Sequence, residues 1–204
     1  MSCWHAMEIF GGISFELGDI IDVVGLGRWL LMLAVYFFII GLKLSMENSI
    51  RIFAVYRYSG FYEWWTRHFV RVQKICFIVF ILNCAVFGIW DICFGQLESS
   101  WIADVLYFYL HIAMYCAVIT VGDLVCEKNL LPCVLLVLEA VLYVISVKLA
   151  PSYIAFGMYN RCSFDKFGII TLIICVIKLI VIAVCFYSGR WLWKNGIIEE
   201  RQVF

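Results

Sequence analysis

The sequence predicts an all-α, polytopic transmembrane helical bundle of five spans with flanking amphipathic segments, on three observations. Hydrophobic residues make up 65% of the 204 residues, against about 45–50% in an ordinary soluble domain. Charged residues make up only 15%, against about 25%. The apolar residues gather in five stretches of roughly the 20-residue length that a helix needs to cross the hydrocarbon layer. A soluble domain must cover its surface with polar groups, so this excess of apolar side chains calls for lipid as solvent. The mean hydropathy of +0.99 agrees.

In chain order the spans are expected at about 27–45, 75–95, 101–121, 131–150 and 168–188. Short polar breaks separate them. Gln96, Glu98 and two serines interrupt the run after Phe94, and Asp123, Glu127 and Lys128 the next. Pro151 opens a third break that holds Asn160, Arg161, Asp165 and Lys166. Two amphipathic segments complete the single membrane domain. In the first, about 9–26, Phe10, Ile13, Leu17, Ile20 and Val24 recur at helical spacing while Glu16, Asp19 and Asp22 project elsewhere. Such a helix either caps the bundle or lies flat on the membrane. In the second, about 46–74, Phe53, Tyr56, Phe61, Trp64, Trp65 and Phe69 alternate with Arg51, Arg57, Arg67, His68, Arg71 and Lys74. That pattern fits a cationic surface helix broken at Gly60, or a plain basic flank.

Orientation follows from lysine and arginine. The richest basic cluster lies in 45–74, which places that segment in the cytoplasm. Five spans then put the N-terminus outside or in a lumen and the C-terminus, with Arg190, Lys194 and Arg201, in the cytoplasm of a plasma or internal membrane. Trp90, Trp101, Trp191 and Trp193 stand at the expected headgroup levels.

Ionisable groups at membrane depth are expensive and point to a role. His111, Glu139 and Lys178 each lie eight to ten residues into a span, about 12–15 Å deep at 1.5 Å per residue. Asn83 reaches a similar level. Tyr107, His111 and Tyr115 share one helix face, as do Glu139 and Tyr143, and Cys175 and Lys178. The expectation is a bundle interior in which Glu139 pairs with Lys178 and His111 and Asn83 add hydrogen bonds. The pair either fixes helix register or belongs to a proton or ion path, and these four residues are the candidate binding positions.

No catalytic or metal site is expected. HExxH, GxSxG and P-loop patterns are absent, and His5, His68 and His111 are dispersed. Ten cysteines lie scattered through apolar runs without paired short spacings. Cys76 and Cys126, near the expected cytoplasmic ends, are candidates for palmitoylation. Tyr58-Ser59-Gly60-Phe61 has the Tyr-x-x-apolar form of a sorting signal. A net charge of zero argues against nucleic acid as a partner; the expected partners are the lipid bilayer and other membrane proteins or further copies of the chain. No cofactor is expected.

The turn Glu127-Lys128-Asn129-Leu130-Leu131-Pro132, between the second and third of the last four spans, and the brief loop after Pro151 carry a resemblance. In these features 75–187 resembles the lysosome-associated four-span transmembrane proteins and their insect relatives. The resemblance implies a scaffold in endolysosomal or junctional membranes without enzymatic activity. The chain departs from that pattern in its extra N-terminal span, its short 95–100 loop and its want of proline-tyrosine motifs, Pro132 and Pro151 being its only prolines. Taken together the sequence indicates a non-enzymatic multi-pass membrane protein that organises or binds other membrane components, with a small transporter or channel subunit as the alternative.

Overall fold

A computed structural model describes residues 22–48, 60–93, 101–125, 130–149 and 163–194, together with Phe10 and Tyr58. Five helices fill these segments: α1 Val23–Asn48, α2 Phe61–Cys93, α3 Trp101–Val125, α4 Leu131–Leu149 and α5 Ser163–Lys194. Four of them, α1, α2, α3 and α5, are long and apolar enough to cross a membrane; α4 contributes a shorter apolar stretch, Leu131–Ile145. The chain is a helical membrane bundle.

Local chemistry sets the helix starts. Asp22 caps α1: its carboxylate accepts the Gly25 N–H at 2.8 Å and its carbonyl accepts Leu26 N–H at 3.0 Å. Gly60, at φ +154°, gives the chain a backbone shape that a residue with a Cβ seldom adopts, and α2 begins at the next residue. Pro132 stands in the first turn of α4, where its missing N–H costs no helical hydrogen bond. Hydroxyls within apolar helices bond back to the preceding turn, Thr120 to the Cys116 carbonyl and Ser188 to that of Val184, both at 2.6 Å.

Helices consecutive in the chain alternate in direction. Asn83 meets Tyr36 and Arg71 meets Glu47, so α2 runs against α1. Gln73 donates to the Ala113 carbonyl at 3.2 Å, and the Phe80 and Tyr109 rings lie 4.9 Å apart, so α3 runs against α2. Helix α4 returns along α3 and α1, and α5 runs parallel to α3 and against α2. Helix α3 packs on all four others, with α1 and α4 on one side and α2 and α5 on another. The described start of α1 and the end of α5 therefore lie at opposite ends of the bundle.

The two amphipathic segments meet different outcomes. Most of 9–26 lies outside the described residues, but Phe10 is fully buried and packs edge-on against Phe80, Phe87 and Phe108 of α2 and α3. The described part of 46–74 does not form a separate surface helix: Phe61 to Lys74 continue unbroken into the second span as α2. Phe61, Trp64, Trp65, Phe69 and Val72 turn inward and are buried, at helical spacing, while Arg67 and Arg71 face out. The alternation of rings and charges marked two faces of one long helix whose apolar face meets protein.

Candidate functional site

Glu139, on α4, occupies the middle of the bundle with 1% exposure. Its carboxylate accepts hydrogen bonds from the Tyr115 hydroxyl of α3 and, at 3.4 Å, from the indole N–H of Trp29 on α1. His111 Nε2, one turn from Tyr115, lies 3.0 Å from Glu139 Oε1, near in distance but without the alignment of a hydrogen bond. The His111 ring is also held between aromatic neighbours, 4.5 Å from Tyr115 edge-on and 5.8 Å from Trp29. Three helices thus converge on one carboxylate, and His111 itself has no exposure. On the same face of α4, Tyr143 accepts the Asp22 N–H at 2.9 Å and ties α4 to the start of α1.

Lys178 takes a different place from the one the sequence led us to expect. It is fully buried on α5, but no nitrogen–oxygen contact within 4 Å joins it to Glu139 among the described residues. Its Nζ lies 3.6 Å from the centre of the Tyr107 ring, a cation–π contact, and has no hydrogen-bond acceptor among the described residues. The reason lies in where the helices stand: α4 and α5 flank α3 without extensive contact with one another. His111 and the Tyr107 ring therefore stand between the two charges.

Asn83 does not join this group. Its side-chain amide donates at 2.7 Å to the Tyr36 hydroxyl, bridging α2 and α1. Tyr36 is buried near a pair of adjacent buried thiols, Cys76 of α2 and Cys116 of α3. Full burial of Cys76 also removes it as a palmitoylation site; Cys126 lies outside the described residues.

A second polar group sits at the end of the bundle where α1 finishes and α2 begins. Glu47 receives Lys43 at 2.8 Å, His68 Nδ1 at 2.7 Å and Arg71 at 3.1 Å. His68 is 4% exposed and stacks on Trp64 with centroids 4.9 Å apart. Beside it the aromatic face of α2 locks onto α5. Phe61 stacks on Trp193 at 4.3 Å, the Trp65 N–H donates to the Phe186 carbonyl at 2.9 Å, and Arg190 donates to Thr66 at 2.8 Å. Gly189 admits this packing, because a Cβ there would overlap the Trp65 indole. The Tyr58 to Phe61 motif ends in this block: Phe61 is 3% exposed, out of reach of a sorting receptor in this arrangement.

The sequence pointed to the depth and face of His111, Glu139, Tyr107 and Tyr115 but missed Trp29, Tyr36 and the Glu47–His68 contact. A signal for the first two was present. Trp29, Leu33, Tyr36, Ile40 and Leu44 follow helical spacing and form the buried stripe of α1. Among the described residues no cluster of three or more potential metal ligands occurs. No protein family, no curated protein and no solved structure matches the chain.

Proposed function

We propose that the chain is a non-enzymatic multi-pass membrane protein that organises or binds other membrane components through its outer helix faces. The observation that carries this reading is the sealing of the mid-depth ionisable groups: His111, Glu139 and Lys178 are between 0 and 1% exposed. A transport path needs groups open to water from both sides in turn, whereas groups closed off within the bundle serve to hold helices together. The opposite surfaces of α2 and α5 are apolar and exposed, with Ile78, Leu82, Val86 and Ile89 on one and Leu172, Val176 and Ile180 on the other. They are free to meet lipid, other membrane proteins or further copies of the chain. The resemblance of 75–187 to lysosome-associated scaffolds points the same way.

A small transporter or channel subunit is the second reading, favoured by the buried Lys178 Nζ, which lacks an acceptor among the described residues. Ionisable residues inside membranes often mark ion pathways. Purified protein in liposomes, carrying Glu139→Gln or Lys178→Met beside the wild type, separates the two. The first reading expects no solute or proton flux that depends on these residues; flux abolished by either substitution overturns it.

The fold also supports an orientation. Alternating helices bring Lys43, Arg67, Arg71, Lys74, Arg190 and Lys194 toward one end, against Glu47, Glu63 and Asp123. Asp22, Asp91, Asp104 and Asp165 stand toward the other end with Arg28, Lys148 and Lys166. The basic end faces the cytoplasm under the positive-inside rule, leaving the C-terminus cytoplasmic and the N-terminus on the far side of a plasma or internal membrane.

A further inference from the structure

We infer that Lys178 and His111 together bind a small monovalent anion, of the halide class, and that the anion enters with a proton. Two buried nitrogen atoms carry the proposal. Lys178 Nζ and His111 Nδ1 both lack a hydrogen-bond partner among the described residues, and both side chains are fully buried. An unmatched buried polar group is costly, and an unmatched ammonium more so. The two side chains meet the same face of α3. Tyr107 and His111 are one helical turn apart on the same face of α3, and Lys178 Nζ rests 3.6 Å over the Tyr107 ring. The Tyr107 face gives the ammonium partial compensation but takes up none of its hydrogen bonds.

The link to a proton comes from the two sides of the imidazole. Nε2 lies 3.0 Å from Glu139 Oε1, without hydrogen-bond alignment, and the carboxylate charge favours a hydrogen there. A neutral ring protonated there presents a lone pair at Nδ1, which repels an anion; the doubly protonated ring presents a second donor. Charge leads to the same result. With neutral His111, Glu139 and Lys178 cancel. A bound anion alone leaves the buried group with an excess negative charge, and a proton on His111 restores neutrality, which a low-dielectric interior strongly favours. The other groups beside His111 and Lys178 do not alter this balance: α3 contributes Tyr107 and Tyr115, α1 Trp29 and α5 Cys175. None of these bears a charge near neutral pH in its ordinary state. The site is one of binding, and it stands whether or not the protein moves solutes.

The test uses the full-length purified chain in lipid nanodiscs, titrated with sodium chloride or bromide against sodium gluconate at constant ionic strength. Thermal stability and the line width of chloride nuclear resonance are the readouts. Saturable, halide-specific stabilisation is expected, and its apparent affinity should fall about tenfold for each pH unit as the bound proton is lost; His111→Gln should remove that slope, and a slope that survives it belongs to Lys178 and overturns the proton on His111. Lys178→Met should abolish the effect and Lys178→Arg retain it. If Lys178→Met does not fold, the halide response and pH slope of the wild type decide alone. Equal responses to gluconate and chloride, as an internal water in place of the anion would give, overturn the anion; a halide response without pH slope overturns the proton.

Discussion

Replacing Glu139 by leucine is the most telling perturbation of the bundle core. The carboxylate receives the Tyr115 hydroxyl and the Trp29 N–H and lies against His111, so its loss strips three buried groups on two helices of their partner. Polar contacts within membrane bundles contribute about 0.6–1.7 kcal/mol each. Three of them place the cost of Glu139→Leu at about 2–5 kcal/mol, with the upper part of the range matching the ~3–5 kcal/mol seen when one partner of a buried pair is removed. Glu139→Gln keeps one carbonyl oxygen for Tyr115 and should cost less, about 1–2 kcal/mol. Reversible denaturation of bicelle-embedded protein by sodium dodecyl sulfate measures both. The geometry makes a sharper demand on double-mutant cycles. Glu139→Leu combined with His111→Leu should destabilise less than the two changes added, by about 1–2 kcal/mol. Glu139→Leu combined with Lys178→Met should lie nearer additivity, because the two side chains share no direct contact. The reverse order of coupling, or a cost of Glu139→Leu near zero, refutes the assignment of His111 and Tyr115 as the partners of Glu139.

Other consequences are as direct. Gly189→Ala should lower stability by about 1–3 kcal/mol through overlap with Trp65, whereas Gly41→Ala, with nothing within 4 Å of the added methyl, should be neutral or stabilising by up to about 1 kcal/mol; thermal melts of the two distinguish them. Glu47→Gln should weaken the junction of α1 and α2 by about 1–2 kcal/mol, since it lies partly buried under three cationic or imidazole partners, and faster proteolysis near residue 50 would report it. Membrane-permeant maleimide should label Cys93 and Cys133 before Cys76 and Cys116; early labelling of Cys76 would contradict its burial against α3. Acyl-exchange signal should be unchanged by Cys76→Ser.

Much of the fold could be read directly because lipid imposes a length and a composition on each helix. The polar breaks located the ends, and helical spacing placed His111, Tyr107 and Tyr115 on one face. What could not be read was which face of one helix meets which neighbour. Two charges at equal depth, Glu139 and Lys178, invite pairing, yet depth is one coordinate and contact needs rotation and neighbour order as well. Here α3 stands between them, and its own His111 and Tyr107 take one charge each. The stretch after Gly60 misled for a related reason. Rings alternating with arginines produce the same pattern whether the apolar face meets lipid headgroups or another helix, and only the arrival of Phe186, Gly189 and Trp193 of α5 decides for the latter.

The placement of the two inner clusters follows from the physics of a bundle in lipid. Apolar side chains gain little by leaving lipid tails for one another, so association depends on close packing, hydrogen bonds and the matching of polar groups. Helix α3 has both ends of this requirement met on separate faces. Toward one side, Glu139 of α4 and Trp29 of α1 gather around His111 and Tyr115, and Tyr143 of α4 accepts the Asp22 N–H at the start of α1. Toward the other, Trp65 and Phe69 of α2 and Phe186 of α5 form an aromatic block against Ala117 and Leu124. The first cluster is polar and specific in register, because a shift of one residue would carry Glu139 away from its donors. The second is apolar, with one indole N–H fixing its position on the Phe186 carbonyl. Lys178 lies on the side of α3 where α5 docks, with its Nζ over the Tyr107 ring one turn from His111. It is therefore the residue of α5 that adjoins the polar core, while Phe186 and Trp193 further along the same helix hold the aromatic block.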